Sequence, residues 1–439
     1  MGALAFYNSR DSDSDLYIPG NTPITPEIEI LRDYVRIDTT NPPGNELAAA
    51  RFLAGHLRAA GVEPEIIETA PGRAALYARI EGKRRGDGLL LMHHMDVMPA
   101  DPAEWSYPPF EAEIKQNMMW GRGTLDMKSI GVCHLLAFLS VFRSSIQPER
   151  DLVFLAVPDE ERGSRAGAEW LFDHRPDVLD EVRYALNEGG ITETIAGEVN
   201  YVGIEIGTKI LTTARAYSSD RGALERISVA LEPWADPKSS PRLLPGVREY
   251  FLSVADNRIR YSEELRNIDR LVADGDVSSL PTTYRRLLFD VIWTGKIGAD
   301  REELFLPIVI HTLPDRDPGM VIDMVGRIVE SEGARMAINR RMPATPLSST
   351  SSPFYRELSE VVREHFGDVR VGPLVVGTIL TDSRFLRPRG IDAYGFWPYP
   401  VDFFQTQGIH KADERIRLDW YLDGVNVVRD LTERWVYAR

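Results

Sequence analysis

The sequence predicts an α/β fold, a three-layer sandwich whose sheet is covered on both faces and which is interrupted by an inserted α+β domain. Three observations predict it. Short apolar runs alternate with helical periodicity between residues 76 and 186. The pattern changes after residue 200 into longer mixed strands and helices, and the first rhythm returns after a Pro/Ser/Thr-rich stretch, Pro343 to Pro353. With 439 residues, 43% hydrophobic and 27% charged, the chain has room for roughly two to three domains of about 150 residues. The expected division is a loosely ordered polar arm at 1–25, a main domain in two parts at 26–200 and 343–439, and an inserted domain at 201–342.

In chain order, helices are predicted at Glu27–Ile37 and Glu46–Ala60, the second entered from Asn41-Pro42-Pro43-Gly44-Asn45 with Asn45 as its N-cap and closed by Gly61. Strands follow at Leu76–Ile80, Leu89–Met92, Leu152–Val157 and Tyr184–Leu186, with helices near Ser129–Phe142 and Ala166–Phe172 between them. In the inserted domain, strands are expected at Tyr201–Ile206, Phe305–Ile310 and Arg335–Ile338, and helices at Glu263–Ala273 and Pro318–Glu330. A helix at Tyr355–Phe366 and a strand at Tyr394–Trp397 complete the main domain.

Charge and cysteine content narrow the function. There are 51 Lys and Arg against 66 Asp and Glu, a formal charge of −15, which is the wrong sign for a nucleic-acid or anionic-membrane surface. A small molecule or another protein is the expected partner. The single Cys133 cannot form an internal disulfide, the apolar stretch Gly131–Phe142 falls far short of the roughly 20 residues that span a bilayer, and the start has no basic segment leading an apolar one. The expected location is the cytoplasm, without a signal peptide.

Chemistry concentrates where strands end. His94-Met95-Asp96 follows one apolar run, Asp159-Glu160-Glu161 another and Glu188 a third, and in an open α/β sheet the carboxyl ends of the strands are where ligands bind. Between them lies Gly121-Arg122-Gly123-Thr124-Leu125-Asp126-Met127-Lys128. Imidazoles with several carboxylates suit a zinc-like divalent ion. His94 and Asp96, two apart, share a strand face, so that Asp96 could hold the imidazole in its ligating tautomer. Glu160 and Glu161 side by side raise each other's pKa unless a cation intervenes. His93 points to the opposite face and is expected to pack, as are His134 and Cys133 in an apolar helix.

In their order these stretches resemble the two-zinc metallohydrolases that include aminoacylase, carboxypeptidase S, acetylornithine deacetylase and succinyl-diaminopimelate desuccinylase. The resemblance rests on Thr39 to Glu46, His93 to Pro99, Trp105 with Pro108 to Phe110, Gly121 to Lys128, Pro158 to Ser164 and Ala185 to Gly190, and then on Thr381 to Phe385, Tyr394 to Phe396, Gly408 to His410 and Asp413 to Arg415. It implies a zinc-exopeptidase-like catalytic domain carrying an inserted lid, and metal-dependent cleavage of the amide bond of an N-acyl amino acid or short peptide with a free carboxylate.

Carried onto these positions, the resemblance implies two divalent ions, zinc by preference with cobalt or manganese as alternatives. His94 and Glu188 would ligate one, Glu161 and His410 the other, and Asp126 both, with a cis peptide between Asp126 and Met127. Glu160 would be the general base, Asp96 the orienter of His94, and Arg384 a grip on the substrate carboxylate. It also implies a homodimer through the inserted domain. The inserted domain departs from the family pattern: the Gly-His-x-Ser-x-Pro segment has only Ala214 to Asp220 as its counterpart, without a histidine, no Asn lies between Asn267 and Asn339, and His311 stands where a carboxylate-binding Arg is usual. Missing oxyanion donors imply reduced turnover, or a metal-binding homologue serving as a scaffold.

Overall fold

In a computed structural model of the chain, the described residues are 22–195, 198–237, 240–255, 261–300, 303–342, 344–367, 369–377, 380–401 and 408–438. Most of the expected N-terminal arm, residues 1–21, therefore lies outside them. The chain divides into two compact units. One comprises the described residues up to Ile204 together with Ser349–Val371 and those from Thr381 on; the other comprises Glu205–Ser348 and the described part of Gly372–Leu380.

The first unit is a mixed sheet between helices. Six of its strands run in the order Glu65–Ala70, Arg73–Ile80, Leu152–Val157, Gly88–His94, Val182–Asn187 and Asp392–Gly395. The first two pairings are antiparallel and the remaining three parallel. Strands such as Leu152–Val157 are buried along their whole length and read as continuous apolar runs, as parallel strands covered on both faces do. On one face Leu90, Met92, Val153, Leu155 and Val157 pack with Leu171, Phe172, Phe385 and Leu386. The other face carries the helices Pro26–Val35, Lys128–Arg143 and Leu418–Tyr437, packed on one another. There His93 is fully buried, with Tyr34 Oη 3.3 Å from its Nε2 and the Phe154 ring beside it. Gly131 makes the room: a Cβ on it would stand 2.3 Å from the His93 ring.

The second unit is built on an antiparallel sheet in the order Val291–Thr294, Glu303–Thr312, Ile210–Ser218 and Arg335–Arg341. Helices Arg221–Leu231 and Pro318–Ser331 cover one face, closing over Ala214, Ala216, Leu306, Ile308 and Ile310. Alternation along Ile210–Ser218, where Ile210, Thr212, Ala214 and Ala216 are buried, is the signature of a sheet with a single helix-covered face.

Three local expectations are corrected. The helix predicted over Glu263–Ala273 is two, Ser262–Arg266 and Ile268–Asp274, broken at Asn267, whose backbone leaves the helical region with φ −97° and ψ 19° and whose Nδ2 and main-chain N–H both donate to the Glu263 carbonyl at 3.0 Å. Asn45 makes no side-chain cap for the helix Glu46–Ala59; its Nδ2 donates instead to the Asp38 carbonyl at 3.1 Å. The 20-residue helix Leu418–Tyr437 is absent from the sequence-based expectation, because Asp and Arg recur along the face opposite its buried Tyr421, Val425, Val428, Leu431 and Trp435. No helix among the described residues is long and apolar enough to cross a membrane.

Candidate metal centre

Sheet register builds the site. His94 pairs with Val157 and Gly395 with Asn187, so the parallel strands end nearly level. The residues that follow them, Asp96, Asp159 to Glu161 and Glu188, are thereby delivered to one rim. Asp126 comes from the loop entering the helix Lys128–Arg143, through a cis Asp126–Met127 peptide. His410 comes from the C-terminal part, in a left-handed backbone conformation with φ 63°.

The rim gathers these groups into two clusters that share one carboxylate. His94 Nε2 lies 3.0 Å from Asp126 Oδ1 and 3.7 Å from Glu188 Oε2. His410 Nε2 lies 2.9 Å from Asp126 Oδ2 and 3.2 Å from Glu161 Oε1. Each oxygen of Asp126 thus faces a different histidine. Donor atoms held 2.0–2.2 Å from a tetrahedral ion stand about 3.3–3.6 Å apart, a spacing these separations bracket. His94, Asp126 and Glu161 offer donor atoms all within 4.8 Å of one another, and so do His94, Glu160 and Glu188. The donor set, imidazole nitrogen plus carboxylate oxygen, suits zinc and its neighbours.

Electrostatics make the same demand for cations. Burial alone would depress His94, yet the carboxylates of Glu188, Asp126 and Asp96 reverse this and hold it well above the ordinary imidazole value. His410, also depressed by burial, is pushed up to about 11 by Asp126 and Glu161. Burial, with Asp126 and Glu161 nearby, pushes Glu188 up to about 7. Glu160 is raised well above the carboxylate range by burial and by Glu188, with Arg384 opposing. Without a metal ion, protons neutralise this crowd of acids.

A further layer of side chains fixes the rim. His94 Nδ1 lies 2.9 Å from the main-chain oxygen of Asp96 and 3.6 Å from its carboxylate Oδ1. That carboxylate instead accepts the N–H groups of Glu160 at 3.0 Å and Glu161 at 3.1 Å, and Asn41 Nδ2 at 2.8 Å. Asp96 therefore ties the first strand end to the turn that carries the next two acids. Asp159 holds that turn in a left-handed conformation, φ 71°, and accepts from Arg73, Asn41 and the Ala166 N–H. The turn closes on Gly167, where a Cβ would stand 1.8 Å from the Pro158 carbonyl.

Glu414 has no assigned role in the sequence-based expectation, and it organises the Asp126 loop. Fully buried, it accepts the N–H groups of Gly123, Leu125 and Asp126 at 3.0, 2.8 and 3.3 Å, and its other oxygen takes Arg122 at 2.6 Å. The neighbouring Asp413 accepts the Ser106 N–H and hydroxyl at 2.7 and 2.8 Å. The segment carrying His410 is thus fastened on two sides. A buried acid four residues after a histidine, within a stretch that matches the family, was the available signal.

Arg384 is 2% exposed and engages Glu160, Ser164 and Asp382. His311 belongs to the other unit, 4% exposed on the strand Glu303–Thr312. Its ring meets Trp293 edge-on with centroids 4.9 Å apart, and burial together with Lys209 and Arg286 holds its pKa at about 4.

Comparison with known proteins decides the family. The model of peptidase family M20/M25/M40 matches residues 90–434, most of the chain. The chain belongs to that family of metallopeptidase-type hydrolases. Aminoacylase-1 of Mus musculus is 32% identical over 414 residues, covering 92% of this chain and 94% of the mouse protein. Among solved structures, the M20 family metallo-carboxypeptidase Sso-CP2 of Sulfolobus solfataricus superposes with a TM-score of 0.74 at 17% identity, covering 94% of this chain and 99% of the other. The Bacillus subtilis YXEP protein, a dinuclear metal-binding peptidase of the M20 family, superposes with a TM-score of 0.59 at 12% identity, covering 93% and 97%. These two likenesses show the fold, and the M20 family fold is the α/β architecture expected.

Proposed function

We propose that this M20 family chain is a two-zinc amidohydrolase that cleaves the amide bond of N-acyl amino acids or short peptides bearing a free carboxylate. One observation carries the reading: the two oxygens of Asp126 each face a histidine that has its own second acid, Glu188 beside His94 and Glu161 beside His410. His94 and Glu188 would hold one ion, Glu161 and His410 the other, and Asp126 both. Bound there, the ions would supply Lewis acidity towards the scissile carbonyl and lower the pKa of a water.

The remaining work falls to the chain's own groups. Glu160 takes the proton of the attacking water and returns it to the departing amine nitrogen, so that one carboxylate serves as base and then as acid. Burial and Glu188 raise its proton affinity, which suits the second step. Asp96, through the N–H groups of Glu160 and Glu161, keeps base and ligand at a fixed separation. In the inserted unit, which we take as the lid and as the site of homodimer formation, His311 beside Lys209 and Arg286 is the group we assign to the substrate carboxylate. Held neutral at physiological pH, it would act as a hydrogen-bond donor. The edge strand Arg335–Arg341, with Ile338 48% exposed, supports pairing with a second copy.

The test is metal analysis coupled to hydrolysis of an N-acyl amino acid and dipeptide panel, with and without chelator. Two equivalents of zinc and chelator-sensitive turnover are expected. Stoichiometric metal without turnover on any substrate would overturn the hydrolase reading.

A further inference from the structure

Glu160 sits among Glu161, Glu188 and Asp382, and an ionised carboxylate in such company needs something to hold it in place. Arg384 is that group. It lies in the short helix Ser383–Leu386, buried to 2%, with its guanidinium 4.6 Å from the Phe385 ring centroid. Nη1 donates to Glu160 Oε1 at 3.2 Å, and Nη2 donates to Ser164 Oγ at 2.9 Å and stands 3.4 Å from Asp382 Oδ1. Ser164 in turn donates to Asp382 Oδ1, and Asn187 Nδ2 reaches Ser383 Oγ at 3.2 Å. The helix bearing Arg384 is thereby tied to the strand that leads to Glu188 and to the turn that carries Glu160.

Both outer nitrogens of the fork are engaged by the protein itself, Nη1 by Glu160 and Nη2 by Ser164 and Asp382. Such a guanidinium is not presented to a substrate. Resting on the hydrolase reading above, we propose that Arg384 is a positioning residue for the general base Glu160, and not a grip on the substrate carboxylate. Engagement of Oε1 fixes the rotation of the Glu160 carboxylate, and with it the direction in which Oε2 meets a water or an amine proton. A planar fork sets that angle; the point charge of a lysine would not. Ser164 and Asp382 hold the fork, so the orientation of the base is set by a chain of three residues behind it.

The test compares Arg384→Ala, Arg384→Lys and Ser164→Ala with wild type on an N-acyl amino acid and on the corresponding N-acyl amino acid amide, with zinc content measured alongside. Misplacing a reacting group by about 1 Å costs on the order of 100-fold in rate. Arg384→Ala is expected to lower kcat by about that factor on both substrates, with zinc retained, KM changed less than about threefold, and part of the loss restored by millimolar guanidinium. Arg384→Lys should recover little. A KM increase confined to the carboxylate-bearing substrate, with kcat kept, overturns the proposal. Should Arg384→Ala not fold, Ser164→Ala decides: a smaller kcat loss at constant KM supports the proposal and an unchanged kcat overturns it. A thermal double-mutant cycle of Glu160→Gln with Arg384→Lys, run without metal, requires no turnover. Non-additive shifts in Tm support the pairing and additive ones overturn it. A wild type that hydrolyses nothing removes the hydrolase reading and leaves the cycle to judge the pairing.

Discussion

Both units bury polar groups, and the first gathers part of its own around the candidate metal centre. In the first, Asp96, Asp159 and Glu414 lie outside the strands and are each met by two or more N–H donors, and each stands on the same segment as a proposed ligand or the proposed base. Buried polar atoms without a hydrogen-bond partner among the described residues occur in both units: Arg79 Nε, Arg122 Nε, both ring nitrogens of His134 and Asp382 Oδ2 in the first, and Thr208, Thr212 and Thr312 Oγ1, His311 Nδ1 and Arg286 Nε in the inserted one. The proposed site, with two ions about 3–4 Å apart, would tolerate little slack. The inserted unit, built on an alternating sheet and two amphipathic helices, needs only its pattern to fold. The contrast separates what is fixed by chemistry from what is fixed by packing, and substitutions can break it or sharpen it.

The largest effect is expected at Asp126. Asp126→Asn removes the one charge that both clusters share, so bound zinc should fall below one equivalent and turnover should vanish, read by metal analysis and a hydrolysis assay. Retention of two ions would show that the clusters are independent. Glu160→Gln should leave both ions bound and lower kcat by about 10²–10⁴-fold, the usual contribution of a general base. A comparable loss of zinc would move Glu160 from base to ligand.

Glu414→Gln tests whether the side chains behind the ligands matter to metal binding as the ligands do. The amide can still accept one N–H but loses the charge that faces Arg122 and the three main-chain donors of the Asp126 loop. Zinc affinity is expected to drop about 10–100-fold by competition with a chromophoric chelator, in line with other residues that support ligands from behind. In the inserted unit the effect should be smaller and of another kind: His311→Ala should raise KM for carboxylate-bearing substrates about tenfold, the worth of one hydrogen bond to a charged group, and leave kcat and zinc content alone. A change in kcat instead would shift His311 towards the reacting carbonyl.

The sequence carried much of the first unit and less of the second. His94, Glu160, Glu161 and Glu188 were readable because each follows an apolar run, and a strand end has one direction in which to project what comes next. Asp126 and His410 were reached only through resemblance, since neither leaves a strand of the main sheet. Glu414, Asp159 and Asn41 stand inside the same stretches and Arg73 outside them, yet their roles depend on pairings across as many as 292 positions, such as Arg122 with Glu414, which no local pattern announces. The break at Asn267 was hidden because apolar periodicity continues through Leu265, Ile268 and Leu271, while the departure lies in the Asn267 backbone, φ −97° and ψ 19°. In the inserted unit the strands Glu303–Thr312 and Arg335–Arg341 and the helix Pro318–Ser331 were visible from their periods, whereas Ile210–Ser218 and Val291–Thr294 were not expected, and the strand expected there at Tyr201–Ile206 lies in Glu198–Thr208 of the main sheet; periods also say nothing of what His311 meets.

The smallest expected effect is on stability, and it separates protons from metal as the counter-charge of the rim. Without metal, His410 in the folded chain is raised from 6.5 to about 11, because Asp126 and Glu161 outweigh burial. Its contribution to folding is therefore complete below about pH 6.5 and is lost as pH rises towards 11. Glu188, raised from 4.5 to about 7, acts in the same sense: its protonated form stabilises the fold below its unfolded value, and that benefit fades as pH passes 7. Asp126, held below the usual carboxylate range chiefly against burial by His410 and His94, acts oppositely and loses its contribution only under acid. The metal-free protein should thus melt highest near pH 5–6 and lose several degrees by pH 8.5. Zinc must displace the protons from both imidazoles, so its binding tightens as pH rises. Calorimetric scans at pH 5.5, 7 and 8.5 should show the gap in Tm between loaded and metal-free protein widening with pH, because a ligand that binds only the folded state stabilises it in proportion to the logarithm of its affinity. A gap that stays constant would mean that protons and metal do not compete for His94 and His410, and the shared-carboxylate reading of Asp126 would lose its electrostatic basis.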